Sequence, residues 1–188
     1  MDTLSSLAAE AHTCTRCPLS RSRTLAVPGE GPSNATILLI GEAPGRNEDL
    51  HGRPFVGAAG KKLEGLLAQA GLAREDVFIT SVVKCRPPEN RVPTFEEATT
   101  CKIKFLQPQI HLIRPALIGL MGRTAISHVL GEKIDLETMH GKVLERNGQR
   151  YMILYHPAAM IYNQNLKAVM EKDFRELTPH GGEKHAFR

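Results

Sequence analysis

Apolar residues follow two different rhythms along this chain. Thr36-Ile37-Leu38-Leu39-Ile40 is an unbroken apolar run closed by Gly41, as expected of a strand covered on both faces. Val77 to Val83 is β-branched and predicts a second strand. Ala116-Leu117-Ile118-Gly119-Leu120 and Tyr151-Met152-Ile153-Leu154 predict a third and a fourth. Between them the spacing lengthens. Leu63, Leu66, Leu67 and Ala70 recur at helical intervals, with Gly71 as a natural stop. Ile103, Leu106, Ile110 and Ile113 predict a helix that Pro108 must kink or restart and Pro115 must end. Thr124 to Leu130 and about Asn165 to Leu177 complete the helical set.

Strands alternating with helices predict an α/β fold, a three-layer sandwich with a central four-stranded, mainly parallel sheet flanked by helices. The 188 residues suffice for one well-buried core. Residues 1–178 are therefore read as a single domain and 179–188 as a mobile tail. In such sheets ligands bind beyond the carboxyl ends of the strands. That rule gathers Gly41 to Asp49, Ser81 to Arg91 and Tyr155 to Asn165 around one crevice.

Composition adds limits. Hydrophobic residues make up 41% and charged residues 23%, a globular balance with no apolar run of membrane length. Asp2, Glu10, His12 and Arg16 near the start leave no apolar core for a secretory leader, so the expected place is the cytoplasm, or the nucleoid if the chain binds DNA. The net charge of +4 permits an anionic partner. Arg16, Arg21 and Arg23 lie near the first cysteines, and Lys84, Arg86, Arg91, Lys102 and Lys104 surround the others. If the cysteines meet, these cations gather as a phosphate backbone would require; scattered solubilising charge is the plain alternative.

The four cysteines are Cys14, Cys17, Cys85 and Cys101. One C-x-x-C pair with two distant partners favours a metal site over disulfides in a cytosolic chain. Pro18 after Cys17 suits an iron–sulfur ligand run. Zinc accepts the same four thiolates, and ordinary core cysteines are a third reading.

Three crevice segments carry chemistry. Gly41-Glu42-Ala43-Pro44-Gly45-Arg46-Asn47-Glu48-Asp49 is a tight turn whose N–H groups can converge on an acceptor. It lacks the Gly-Lys-Ser/Thr of a phosphate loop, and its carboxylates oppose an anion. Gly52-Arg53-Pro54-Phe55-Val56-Gly57 presents Phe55, either a stacking surface for a planar base or a core residue. His156-Pro157-Ala158-Ala159-Met160 puts His156 at a strand–helix junction, able to donate to an oxygen gaining charge or to satisfy local backbone.

Together, C-x-x-C-P-L, G-E-A-P-G-x-x-E-D, G-R-P-F-V-G-x-A-G, V-K-C-R-P-P-x-N-R, a fourth cysteine and H-P-A stand in order from Cys14 to about Asn165. The chain thereby resembles family 4, the iron–sulfur branch, of the uracil-DNA glycosylase superfamily. The resemblance implies a DNA-repair hydrolase that flips uracil from single- or double-stranded DNA and cleaves its N-glycosidic bond. It implies a [4Fe–4S] cluster on all four cysteines, with zinc the lesser alternative. Phe55 would stack on the flipped base and His156 would stabilise charge developing on uracil O2. The Glu42–Gly45 turn, with Ala43 and Gly45, would line the pocket, and Glu48 and Asn90 match further active-site positions. Better-known uracil glycosylases carry an aspartate where Ala43 stands, so Glu42 or backbone-held water must position the nucleophile.

Two positions depart from the resembled pattern. Ser81 stands where an asparagine usually reads the base edge, which implies weaker discrimination against cytosine or a wider set of damaged bases. Met160-Ile161-Tyr162 replaces the usual wedge with another apolar one. A non-catalytic iron–sulfur protein that binds DNA damage is the main rival, with Ser81 as its argument. A relative that traps the abasic sugar covalently is opposed by Arg86-Pro87-Pro88-Glu89-Asn90-Arg91, which lacks the Lys-Arg-Arg-Ile-His insertion. A zinc-stapled protein acting on free nucleotides is the third. The chain is expected to act as a monomer, with a replication clamp as a possible partner and no membrane.

Overall fold

In the computed structural model, which describes residues 3–178, the four apolar runs become the parallel strands of one sheet. The elements in chain order are α1 (Leu4–Thr13), β1 (Ile37–Gly41), α2 (Arg46–His51), α3 (Ala58–Gln69), β2 (Phe78–Ser81) and α4 (Phe95–Cys101). A π-helical stretch, Lys102–Leu106, leads into α5 (Gln107–Ile113), β3 (Leu117–Met121), α6 (Arg123–Leu130) and α7 (Leu136–Met139). The chain continues through β4 (Val143–Arg146), β5 (Gln149–Leu154), α8 (Ala159–Tyr162) and α9 (Leu166–Arg175). The expected tail, 179–188, lies outside the described residues.

The strands lie in the order β2-β1-β3-β5-β4. Pairing is parallel from β2 through β5, with Leu39 opposite both Ile79 and Gly119. Alternate residues of β1 enter opposite cores, as a period of two demands. Leu38 and Ile40 pack with Leu7, Ala98, Phe105 and Ile126, so α1, α4, α5 and α6 cover one face. Ile37 and Leu39 pack with Leu63, Leu67, Met170 and Phe174, so α3 and α9 cover the other. Each fully buried Leu or Ile contributes about 1.5–3 kcal/mol. Burial on both faces is why these strands read as continuous apolar runs. The three-layer sandwich is the expected one.

The sheet has five strands rather than four. β4 pairs antiparallel with β5 through the two-residue turn Asn147-Gly148, whose φ angles are +53° and +75°. Asn-Gly is the preferred pair for a tight hairpin, because both residues tolerate φ above zero. Val143-Leu144-Glu145-Arg146 lies on the outer edge with Val143 exposed, so it has no apolar rhythm to reveal it. The helix expected from Ile103 to Ile113 is interrupted as Pro108 requires. The π turn loosens the backbone just before α5, where Pro108 sits in the first turn and its missing N–H leaves no gap.

Candidate functional site

The loops after β1, β2 and β5 meet as the crevice rule demands, and they enclose a cavity of about 750 Å³. Glu42, Ala43, Gly45, Glu48, Phe55, Ser81, Asn90 and His156 all line it. The segment after β3 also lines it, through Gly122, Arg123 and Thr124. Sequence reasoning missed that segment, although the same rule applied to the third strand points to it.

Phe55 is buried and has φ +50°, a left-handed conformation costing about 1–3 kcal/mol for a residue with a side chain. Gly60, in the first turn of α3, permits this seat: a Cβ there would overlap the Phe55 carbonyl. Gly41 permits the other side. A Cβ on Gly41 would stand 2.8 Å from Phe55 Cζ and 3.5 Å from Ser81 Oγ, so ring and hydroxyl share the floor above its bare Cα. Glu48 knots the two loops together. Its Oε1 accepts the N–H groups of Val56 at 2.9 Å and Gly57 at 2.8 Å, and its Oε2 accepts that of Gly45 at 3.1 Å. Those backbone bonds occupy both of its oxygens, and they fix the turn and the phenylalanine segment to each other.

His156 follows β5, and its Nδ1 accepts the backbone N–H of Ala158 at 3.1 Å. An acceptor at Nδ1 puts the ring proton on Nε2 when the imidazole is neutral. Burial pushes its pKa down to about 4, opposed in part by the Glu48 carboxylate, so the ring is neutral at pH 7. Its ring centroid lies 5.6 Å from that of Phe55, tilted by 31°. A stacking surface and a neutral N–H donor therefore stand side by side.

Glu42, at the end of β1, accepts a hydrogen bond from the Thr124 hydroxyl, on the first turn of α6. Ser81 is buried at the end of β2, opposite Gly41, and its carbonyl accepts from Lys84 Nζ at 2.8 Å. Asn90 sits at the exposed mouth with φ +57°, its Oδ1 accepting Arg86 Nε at 2.7 Å. Of the expected wedge Met160-Ile161-Tyr162, Ile161 and Tyr162 are exposed and Tyr162 lines the cavity, whereas Met160 is buried in the core with Leu154 and Phe174.

The four cysteines do not touch this cavity. They line one small pocket between α1, the segment after β2 and the end of α4. Arg23 Nη1 donates to Cys85 Sγ at 3.1 Å, and the Lys84 backbone N–H donates to Cys101 Sγ at 3.3 Å. Burial raises the Cys17 and Cys85 thiols and pushes Cys101 up to about 12. Among the described residues, no three His, Cys, Asp or Glu side chains close on a single point as one metal ion would require. Four cysteines distant in sequence are thus brought to one pocket.

The cations around the cysteines are largely engaged within the protein, which corrects the expectation of a free phosphate-facing patch. Lys84 is fully buried, donates to Thr80 Oγ1 at 2.6 Å, and has its pKa lowered to about 8 by burial. Arg91 pairs with Glu97 at 2.8 Å, Lys104 pairs with Glu10, and Lys102 Nζ binds the His128 carbonyl at 2.8 Å. Arg16 and Arg21 remain on the surface.

Comparison with known proteins identifies the family. The sequence model of the uracil DNA glycosylase superfamily matches residues 28–178. A type-4 uracil-DNA glycosylase of Saccharolobus solfataricus is 46% identical over 187 residues, covering 94% of this chain and 86% of that protein. One from Archaeoglobus fulgidus is 43% identical over 192 residues, covering 98% of this chain and 96% of that one. A type-5 uracil-DNA glycosylase of Pyrobaculum aerophilum is 33% identical over 155 residues, covering 73% and 67% respectively.

Proposed function

The chain belongs to the type-4 family of the uracil-DNA glycosylase superfamily, and on that premise we propose that it excises uracil from DNA by hydrolysing the N-glycosidic bond. The observation that carries this reading is the neutral His156 with its Nε2–H free to donate, set 5.6 Å from the Phe55 ring in one cavity.

The flipped uracil stacks on Phe55, and His156 Nε2–H donates to its O2. As the bond from C1′ to N1 breaks, its electron pair passes into the ring and charge builds on O2. A donor placed there lowers the barrier, and losing one such donor typically costs about 100- to 1000-fold in rate. Water adds to C1′; Glu42, held by Thr124, accepts its proton. Uracil leaves as the anion and takes a proton from solvent. Ala43 and Gly45 offer backbone to the base, Ser81 and Asn90 offer polar groups at its edge and at the mouth, and Glu48 holds the loops in register. Ile161 and Tyr162 fill the gap left in the stack. We assign this activity to a single domain, residues 1–178, acting on uracil-containing DNA, single- or double-stranded.

Cys14, Cys17, Cys85 and Cys101 would hold a [4Fe–4S] cluster. Zinc accepts the same four thiolates and is the lesser alternative; the C-x-x-C-P run and the type-4 kinship support the cluster. When bound, the cluster supplies a cross-link between α1 and the segment after β2.

The test is single-turnover cleavage of matched oligonucleotides carrying one U, C, T or hypoxanthine, with His156→Ala as control. Excision of uracil that collapses in the control supports the reading. No excision of any base by cluster-loaded protein favours a non-catalytic damage binder.

A further inference from the structure

The left-handed seat of Phe55 is held from outside the cavity. Resting on the glycosylase reading above, we infer that Arg74 is a positioning residue for base stacking, keeping Phe55 set in advance for the flipped uracil. Arg74 lies in the turn between α3 and β2, and nothing in the sequence pattern singles it out. Its Nη1 donates to the Phe55 carbonyl at 2.9 Å and its Nη2 to the carbonyl of Pro54. Two successive carbonyls gripped by one planar fork fix the peptide between them, and with it the φ of +50° that aims the ring.

The fork is itself anchored. Arg74 Nε donates to Glu30 Oε1 at 2.7 Å, and Arg53 Nε donates to Glu30 Oε2 at 2.8 Å. Glu64 faces Arg74 Nη1 more loosely, at 3.6 Å. Glu30 is bonded through its backbone to the outer edge of β2: its N–H reaches the Ile79 carbonyl at 3.0 Å, and the Ile79 N–H returns at 2.8 Å. Ser81 stands on that same strand. The stacking ring and the base-edge hydroxyl are thus referred to one strand, by a chain from Ile79 through Glu30 and Arg74 to Phe55. Gly60 leaves the Phe55 carbonyl room to turn toward Arg74. Without the fork, a residue bearing a side chain would relax toward ordinary backbone angles and carry the ring off the floor of the cavity.

The test is a double-mutant cycle in cluster-loaded protein. Arg74→Met is expected to lower subsaturating single-turnover uracil excision by about 10- to 100-fold, the scale of a small misplacement of a positioning group. In a Phe55→Leu background the same change should cost less than about twofold, because its effect passes through the ring. Arg74→Lys keeps the ion pair with Glu30 but not the fork, and should recover only part of the rate. An undiminished loss in the Phe55→Leu background, or full rescue by lysine, overturns the inference. Glu30→Gln weakens the anchor of Arg74, and with it the pair to Arg53 in the same loop, and should give a smaller loss of the same kind, again absent without Phe55. A second readout does not need activity. In protein labelled with 4-fluorophenylalanine, the Phe55 resonance, assigned by Phe55→Leu, should broaden or shift in Arg74→Met and stay unchanged in wild type. A wild type that cleaves no uracil sinks the glycosylase reading while this spectrum still decides the clamp; an unmoved Phe55 resonance sinks the clamp alone.

Discussion

His156 Nδ1 takes its hydrogen bond from the Ala158 N–H at 3.1 Å, two residues further along the same loop. That bond leaves Nε2 as the donor, and burial keeps the ring uncharged with a pKa of about 4. An imidazole lowered from its usual value near 6.5 stays neutral above that value and gains its proton only as pH falls through about 4. Uracil excision should therefore lack an inflection near pH 6.5 and begin to fall only as pH approaches about 4. Single-turnover rates from pH 4 to 9 check this. A rate that falls as pH rises through 6.5, and does so only while His156 is present, would mean that the charged imidazole is the working form.

Thr124 and Glu42 make the second pairing on which the chemistry rests. A hydrogen bond to a charged group is worth about 1.5–3 kcal/mol, or roughly a 10- to 100-fold change. If Glu42 takes the proton of the attacking water, Thr124→Val should lower kcat by about 10-fold or more with KM little changed. Thr124→Ser, which keeps the hydroxyl, should stay within about threefold of wild type. A Thr124→Val enzyme with unchanged kcat would remove Glu42 from the proton transfer.

These two pairings differ in how far the sequence could reveal them. His156 bonds within its own loop, and the strand–helix junction that places it is a local pattern. Thr124 meets a partner 82 positions away, and Arg74 meets the Phe55 carbonyl 19 positions away, on the far side of α3 in sequence. No spacing rule carries such contacts. The four inner strands were legible because both their faces are buried and leave continuous apolar runs. β4 was hidden because its edge faces water, although Asn147-Gly148 marks the turn beside it. The cations near the cysteines were legible as charges but not as partners, since burial of Lys84 and the bond of Arg23 to Cys85 arise only from packing.

Ser81 offers the base edge one rotatable hydroxyl, whereas an amide offers a donor and an acceptor in fixed relation. Its neighbours are set: Lys84 holds its carbonyl at 2.8 Å, and its hydroxyl shares the floor above Gly41 with the Phe55 ring. Ser81→Asn should therefore sharpen selection of uracil over cytosine by about 10-fold, the scale of one buried hydrogen bond to a polar edge. Relative single-turnover rates on U- and C-containing oligonucleotides measure it. Unchanged excision and unchanged preference would show that Ser81 does not read the base.

If the four cysteines hold the proposed cluster, its removal should act on the fold before it acts on the cavity, because the cysteine pocket and the site share no lining residue. In the free protein the buried thiols hold their protons, with Cys101 at about 12. Loss of the cluster then leaves α1 attached chiefly through the contacts of Leu7 and Ala11 in the core, together with the bond of Arg23 Nη2 to the His12 carbonyl at 2.7 Å. Chelation, or Cys17→Ser, should abolish absorbance near 400 nm and lower the melting temperature by several degrees, the shift of a few kcal/mol in a domain of this size. Limited proteolysis should cut first between Thr13 and Arg23. Arg23→Met should keep the colour when fresh and lose it faster under air, since Cys85 has lost its N–H donor. If chelated protein kept both its melting temperature and its resistance to protease, the cysteines would not be a staple.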